Sequence, residues 1–86
     1  MHNLKIIEDI RIRKLGHNFY IIGNGKTYEI NEMGAIILKY INKDMTVEIL
    51  AHRISDKYHE EDVMKVIDDI NEYISFLKSA DIIEEL

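Results

Sequence analysis

The sequence contains no cysteine, no proline and no tryptophan among its 86 residues. The lack of cysteine excludes disulfides, zinc–thiolate sites, iron–sulfur clusters and thiol nucleophiles. A chain of this length has room for only one packed core, so we expect a single domain over residues 1–86. It also lacks an apolar run long enough to span a bilayer and an N-terminal signal peptide. These absences predict a cytoplasmic protein without a membrane partner.

Positive charge is also scarce, because 11 Lys and Arg face 16 Asp and Glu and give a formal net charge of −5. Nucleic-acid affinity comes largely from cations that neutralise phosphates, so this balance argues against a nucleic-acid partner. We find no His–acid pairing near Ser55 or Ser75, and neighbouring carboxylates point in different directions on a helix. The histidines do not converge, and we expect them on the surface: His2, His17, His52 and His59. We therefore predict no metal, no cofactor and no enzymatic activity.

Three short segments in the first third of the chain have strand patterns. Residues 10–15 alternate between aliphatic and charged side chains, and residues 19–22 are aromatic and aliphatic. Gly-Asn-Gly at residues 23–25 favours a tight hairpin before a third strand at residues 27–30. The pattern predicts a three-stranded antiparallel meander.

From Asn31 the apolar spacing changes to three and four residues, which is typical of helices. Asn31 and Thr46 are suitable N-caps for the first two helices, which a polar break at residues 42–44 separates. A third helix is predicted from about Glu60 to Lys78. The sequence thus predicts an α+β fold, in which a three-stranded antiparallel sheet is followed by three helices in a winged helix-turn-helix-like arrangement.

The third predicted helix has the wrong charge for DNA. In a winged helix-turn-helix regulator this helix enters the major groove and needs Arg or Lys for phosphates and bases. Here the only cation between residues 60 and 72 is Lys65, whereas six acidic residues share that stretch: Glu60, Glu61, Asp62, Asp68, Asp69 and Glu72.

Several segments resemble the PqqD family, the peptide chaperones of pyrroloquinoline-quinone biosynthesis and related RiPP recognition elements. Residues 27–31 read Thr-Tyr-Glu-Ile-Asn, where that family has a tyrosine-x-leucine-asparagine step. Residues 46–50 read Thr-Val-Glu-Ile-Leu, as at the start of its second helix, and the closing pattern is formed by Tyr73, Ile74, Leu77, Ile82 and Ile83. The chain departs from the family where it has Asp81 in place of glycine.

The resemblance implies a non-catalytic domain that binds the leader segment of a ribosomally made precursor peptide. The leader would add as a strand beside the third strand, in a groove walled by the third helix, through β-augmentation. The domain would present the peptide to a separate modifying enzyme, such as a radical S-adenosylmethionine enzyme or a lasso-type protease. The alternative is an acidic winged-helix regulator or protein-interaction adaptor unrelated to peptide maturation.

The strand residues expected at this site are Thr27, Tyr28, Glu29 and Ile30. For the helix we choose one flank, since methionine adapts to varied ligands and asparagine both donates and accepts hydrogen bonds. This flank consists of Met64, Ile67, Asp68 and Asn71. Phe76 lies near the opposite flank, so the sequence leaves open which side lines the groove. Internal packing of Met64 and Ile67 is a further alternative.

Overall fold

The computed structural model describes residues 4–41, 43 and 45–86. Its strands are β1 (Leu4–Ile6), β2 (Arg11–Leu15), β3 (Asn18–Gly23), β4 (Lys26–Ile30) and β5 (Ile83–Glu85), and its helices are α1 (Glu32–Tyr40), α2 (Val47–Tyr58) and α3 (Val63–Ser79). The predicted α+β class, with three antiparallel strands followed by three helices, is confirmed. His2 and two residues of the predicted polar break, Asn42 and Asp44, lie outside the described residues.

The main sheet has the order β2-β3-β4, and both strand pairs are antiparallel. Its second hairpin turns at Asn24 and Gly25, whose φ angles are 52° and 73°. Two successive positive φ angles define the type I′ turn, whose twist matches that of the flanking strands. The first hairpin turns at Gly16, where φ is 63°. Of the described strands, only β3 pairs with β4, so β4 is an edge of this sheet.

The predicted caps of the first two helices are confirmed. The Asn31 side-chain oxygen accepts a hydrogen bond from the Gly34 N–H at 2.9 Å, and Thr46 Oγ1 accepts one from the Ile49 N–H at 3.1 Å. Each bond satisfies a backbone donor that has no intrahelical acceptor. Because Asn31 directly follows β4, this cap fixes the angle between the edge strand and α1.

Helix α3 begins at Val63, three residues later than the sequence predicted. Helix α2 ends before His59, which is in the left-handed region at φ 55°. The Glu60 N–H donates a hydrogen bond to the Ser55 carbonyl at 2.9 Å. Asp62 is the residue that caps α3, by accepting from the Lys65 N–H at 3.2 Å. The acidic residues before Val63 therefore form the α2–α3 connection.

A second, two-stranded sheet joins the beginning and the end of the described chain. Strands β1 and β5 are antiparallel, with Leu4 opposite Glu85 and Ile6 opposite Ile83. The Ile7 N–H continues this pairing by donating to the Ile82 carbonyl at 2.9 Å. Strand β1 was not predicted, because three residues are too short to show an alternating pattern.

One core is shared by the sheets and all three helices. Its fully buried side chains come from β3, the three helices, the residue after α1 and the chain end: Ile21, Ile37, Leu38, Ile41, Leu50, Ile70, Leu77, Ile82 and Ile83. No helix in the described part of the chain is long and apolar enough to cross a membrane.

Candidate functional site

The free edge of β4 presents backbone hydrogen-bonding groups. Gly23 and Lys26 close the type I′ turn as a hydrogen-bonded pair. Bonded and non-bonded pairs alternate along an antiparallel ladder, so Tyr28 and Ile30 also bond to β3. The N–H and C=O groups of the two residues between these positions point away from β3: Thr27 and Glu29. The structure therefore places the four predicted strand residues at an open sheet edge.

Aromatic side chains link this edge to α3. The ring of Tyr28 packs edge-to-face against Phe76, with centroids 5.8 Å apart and planes at 89°. Phe76 packs in the same way against Tyr73, at 6.1 Å and 86°. Perpendicular ring pairs at these distances are favourable because the positive edge of one ring meets the negative face of the other. Since Phe76 remains 42% exposed, the aromatic pairs leave apolar surface open beside β4.

A groove of about 500 Å³ runs between the end of β4 and this side of α3. We call it the β4–α3 groove, and its lining residues are Glu29, Asn31, Met33, Asp69, Glu72, Tyr73 and Phe76. It combines an open strand edge, an aromatic wall and a carboxylate rim. This composition suits an extended polypeptide better than a small polar metabolite, because a peptide can use the strand edge and the apolar wall together.

The structure does not bring the helix residues chosen from the sequence to this groove. Met64 and Asp68 are exposed, and Ile67 and Asn71 line a different depression beside the start of α2. Phe76 follows Ile67 by nine residues, and at about 100° per residue this separation is half a turn around the helix axis. The Met64 flank and β4 thus lie on different sides of α3.

Gly34 explains how Tyr73 reaches the groove wall. A Cβ atom at Gly34 would lie 2.6 Å from the hydroxyl oxygen of Tyr73. Helix α1 can therefore approach the tyrosine ring this closely only because Gly34 has no side chain. Tyr73 and Phe76 were not among the predicted site residues, although aromatic residues three apart on one helix are neighbours.

A separate polar contact joins α1 to α2. The Tyr58 hydroxyl donates to Glu32 Oε1 at 2.5 Å, and Lys57 lies 3.1 Å from the same oxygen. Partial burial of the phenol, in a residue that remains 46% exposed, raises the pKa of Tyr58 to about 12 together with its hydrogen bond to the carboxylate. The bonds from Tyr58 and Lys57 lower the pKa of Glu32. Among the described residues, no group of three or more His, Cys, Asp and Glu side chains could hold a metal ion.

Two solved structures share this fold over nearly their whole length. One is described as "Lasso peptide synthetase B1 complexed with the leader peptide", with a TM-score of 0.82, 14% sequence identity, and coverage of 94% of this chain and 96% of that chain. The other, "TbiB1 in Complex with the TbiA(beta) Leader Peptide", has a TM-score of 0.78 and 16% identity, and covers 93% and 94% of the two chains. At these identities the likeness shows the fold alone.

Sequence comparison identifies the family. No curated protein sequence matches the chain significantly. The family model for "Coenzyme PQQ synthesis protein D (PqqD)" matches residues 17–83, which include β4 and all three helices. With more than half of its length matched by that model, this chain belongs to the PqqD family.

Proposed function

We propose that this domain binds the leader segment of a ribosomally made precursor peptide as an additional strand on β4. The observation that carries the proposal is the open edge of β4 beside the exposed aromatic wall of α3. The leader peptides bound to the two structurally similar proteins support the same interpretation.

The backbone of β4 would supply much of the affinity. Thr27 and Glu29 each offer an outward N–H and C=O, so a peptide strand can form up to four hydrogen bonds along this edge. Alternate peptide side chains would point toward α3 and cover Tyr73 and Phe76. Burial of apolar surface contributes about 25 cal/mol per Å², which offsets the entropy lost when the peptide becomes ordered.

The domain would perform no chemistry itself in this function. It would hold the leader and present the downstream segment to a separate modifying enzyme, either a radical S-adenosylmethionine enzyme or a lasso-type protease. Because precursor peptides are made by ribosomes, this encounter belongs to the cytoplasm. A short precursor-peptide gene next to the gene for this protein would supply the sequence of the leader.

The first experiment tests the strand edge. Glu29→Pro removes an outward N–H that bonds to no residue of β3, and edge positions of a sheet tolerate proline. We expect at least tenfold weaker binding of a synthetic leader peptide, whereas the matched variant Glu29→Ala keeps the N–H and most of the affinity. Amide shifts at residues 27–30 on peptide addition identify the binding site. Equal affinities of the proline and alanine variants would contradict strand addition.

The second experiment decides which flank of α3 contacts the peptide. Aromatic residues at the centre of an interface commonly contribute about 2 kcal/mol or more, so Phe76→Ala should weaken leader binding by tenfold or more. Met64→Ala truncates a side chain that is 65% exposed on the other flank, and it should leave the affinity within twofold. The reverse result would restore the flank of Met64, Ile67, Asp68 and Asn71 as the binding surface.

A further inference from the structure

The β4–α3 groove has a one-sided charge. Its lining includes three acidic residues, Glu29, Asp69 and Glu72, and no Lys or Arg of the described chain. None of the three carboxylates lies within ion-pair distance of a cation in the part of the structure that is described. Lys65, in the depression next to Asp69, instead lies 3.9 Å from Glu60.

The three acidic residues belong to both walls of the groove. Asp69 and Glu72 belong to α3, and Glu72 is adjacent to Tyr73 in the sequence. Glu29 stands on β4, where Tyr28 and Ile30 turn toward the core and the exposed Glu29 turns to the opposite face of the sheet. A strand added to β4 would therefore have carboxylates beside both of its faces.

The geometry points to a cationic leader: we infer that the peptide bound in the β4–α3 groove carries Lys or Arg next to the apolar residues that cover Tyr73 and Phe76. This inference rests on the proposed function and names the chemical class of its peptide. A Lys or Arg directed toward α3 would reach Asp69 or Glu72. One directed to the other face would lie across the strand pair from Glu29, where opposite charges are favourable. The aliphatic stems of these side chains can also cover aromatic rings.

The Lys and Arg side chains of the peptide would mainly raise the specificity and the rate of association, and they would bury little surface. Exposed ion pairs are individually weak, but like charges in the same positions would be repelled. Three such contacts together should strengthen binding by about fivefold to tenfold. Because the rim is exposed, this contribution should fall as the ionic strength rises.

Selection from a phage-displayed library of random 12-residue peptides tests the inference before any leader sequence is identified. Selection on the wild-type domain should enrich Lys and Arg together with aromatic and aliphatic residues. The variant Glu29→Gln/Asp69→Asn/Glu72→Gln should lose the cationic enrichment and keep the apolar one. The matched variant Glu8→Gln/Asp56→Asn/Glu84→Gln removes three carboxylates outside the groove, so both variants change the net charge from −5 to −2. It should select the same cationic peptides as the wild type.

Synthetic versions of the selected peptides then test strand addition and the preference for cationic peptides separately. We expect a selected peptide to shift the amide signals of residues 27–30. Its affinity should be about fivefold or more lower for the groove variant and unchanged for the matched variant. A contrary outcome is that selected peptides shift these amide signals and yet carry no excess of Lys or Arg, or bind both variants with equal affinity. Either result would overturn the inference of a cationic leader and leave strand addition intact. Selected peptides that leave the amide signals of residues 27–30 unshifted would overturn the proposed function and this inference together.

Discussion

Gly34 and Tyr73 show how a single missing Cβ shapes the groove. The tyrosine ring fills the space where a side chain at Gly34 would stand, with its hydroxyl oxygen 2.6 Å from the ideal Cβ position. The same ring packs against Phe76. One close contact in the helical layer therefore determines the position of an aromatic ring that lines the candidate site.

Gly34→Ala should lower the free energy of unfolding by about 1–3 kcal/mol, since overpacking forces a neighbouring side chain or helix to move. Urea denaturation of a double-mutant cycle with Tyr73→Ala would measure the effect. Once the ring is absent, alanine should be neutral or slightly stabilising, because glycine is the poorer helix former. Additive effects of the two substitutions would contradict a direct clash.

Tyr58 should ionise well above the ordinary range of a phenol. Its pKa is raised to about 12 by burial and by its bond to Glu32, so the folded state favours the neutral form. This contribution to stability is present below the unfolded pKa of about 10 and is lost as the pH rises toward 12. The difference in absorbance titration near 295 nm between wild type and Tyr58→Phe reports the pKa, and Glu32→Gln should lower it. Ionisation of Tyr58 near pH 10 would contradict the contact.

At the scale of elements, α3 serves the core and the candidate site with different faces. Ile70 and Leu77 are fully buried, whereas Tyr73 and Phe76 face the groove and Met64 faces solvent. The packing of the apolar face thus sets the rotation of α3 about its axis. That rotation determines which residues meet β4.

Ile70→Ala should destabilise the domain by about 2–5 kcal/mol, as removal of buried methyl and methylene groups does. Small domains have only about 5–15 kcal/mol in total, so the melting temperature should fall by many degrees. Thermal unfolding followed by circular dichroism measures it. Met64→Ala is the matched control on the exposed side of α3 and should change stability by less than about 0.5 kcal/mol. An unchanged melting temperature for Ile70→Ala would show that the buried face is misassigned.

Across the whole molecule, two depressions differ in the sign of their charge. Acidic residues line the β4–α3 groove, while Lys39, Arg53 and Lys57, together with Asp56, line a depression between α1 and α2. A third helix with acidic residues on its groove flank is unsuited to the major groove of DNA. The formal net charge is −5 with these cations already counted.

We therefore expect no appreciable binding of duplex DNA at physiological salt, since the net charge opposes the phosphate contacts that dominate such binding. Fluorescence polarisation with a labelled 20-base-pair duplex at about 150 mM salt tests this expectation. A basic helix-turn-helix protein in the same titration is the positive control. Sub-micromolar affinity that weakens with salt would favour the regulator over the peptide-binding domain.

Local features of this protein follow from its amino-acid sequence alone. The Asn31 and Thr46 caps, the Asn24–Gly25 turn and the strand before the first helix depend on residues within a few positions of one another, so their chemistry could be read directly. The edge position of β4 followed from the order of hairpins, because a meander leaves its last strand with one neighbour.

Tertiary contacts were needed to establish the β1–β5 pairing and the side of α3 that faces the groove. The register of β1 depends on residues 77 to 81 positions away, and three-residue strands have no period that would reveal it. Helical periodicity showed that α3 has an apolar face, but Met64 and Phe76 lie on its two flanks and either could have met β4. Packing against α1, where Tyr73 occupies the space above Gly34, turns the Phe76 flank toward the strand. The site thus depends on contacts between distant segments, which local patterns do not encode.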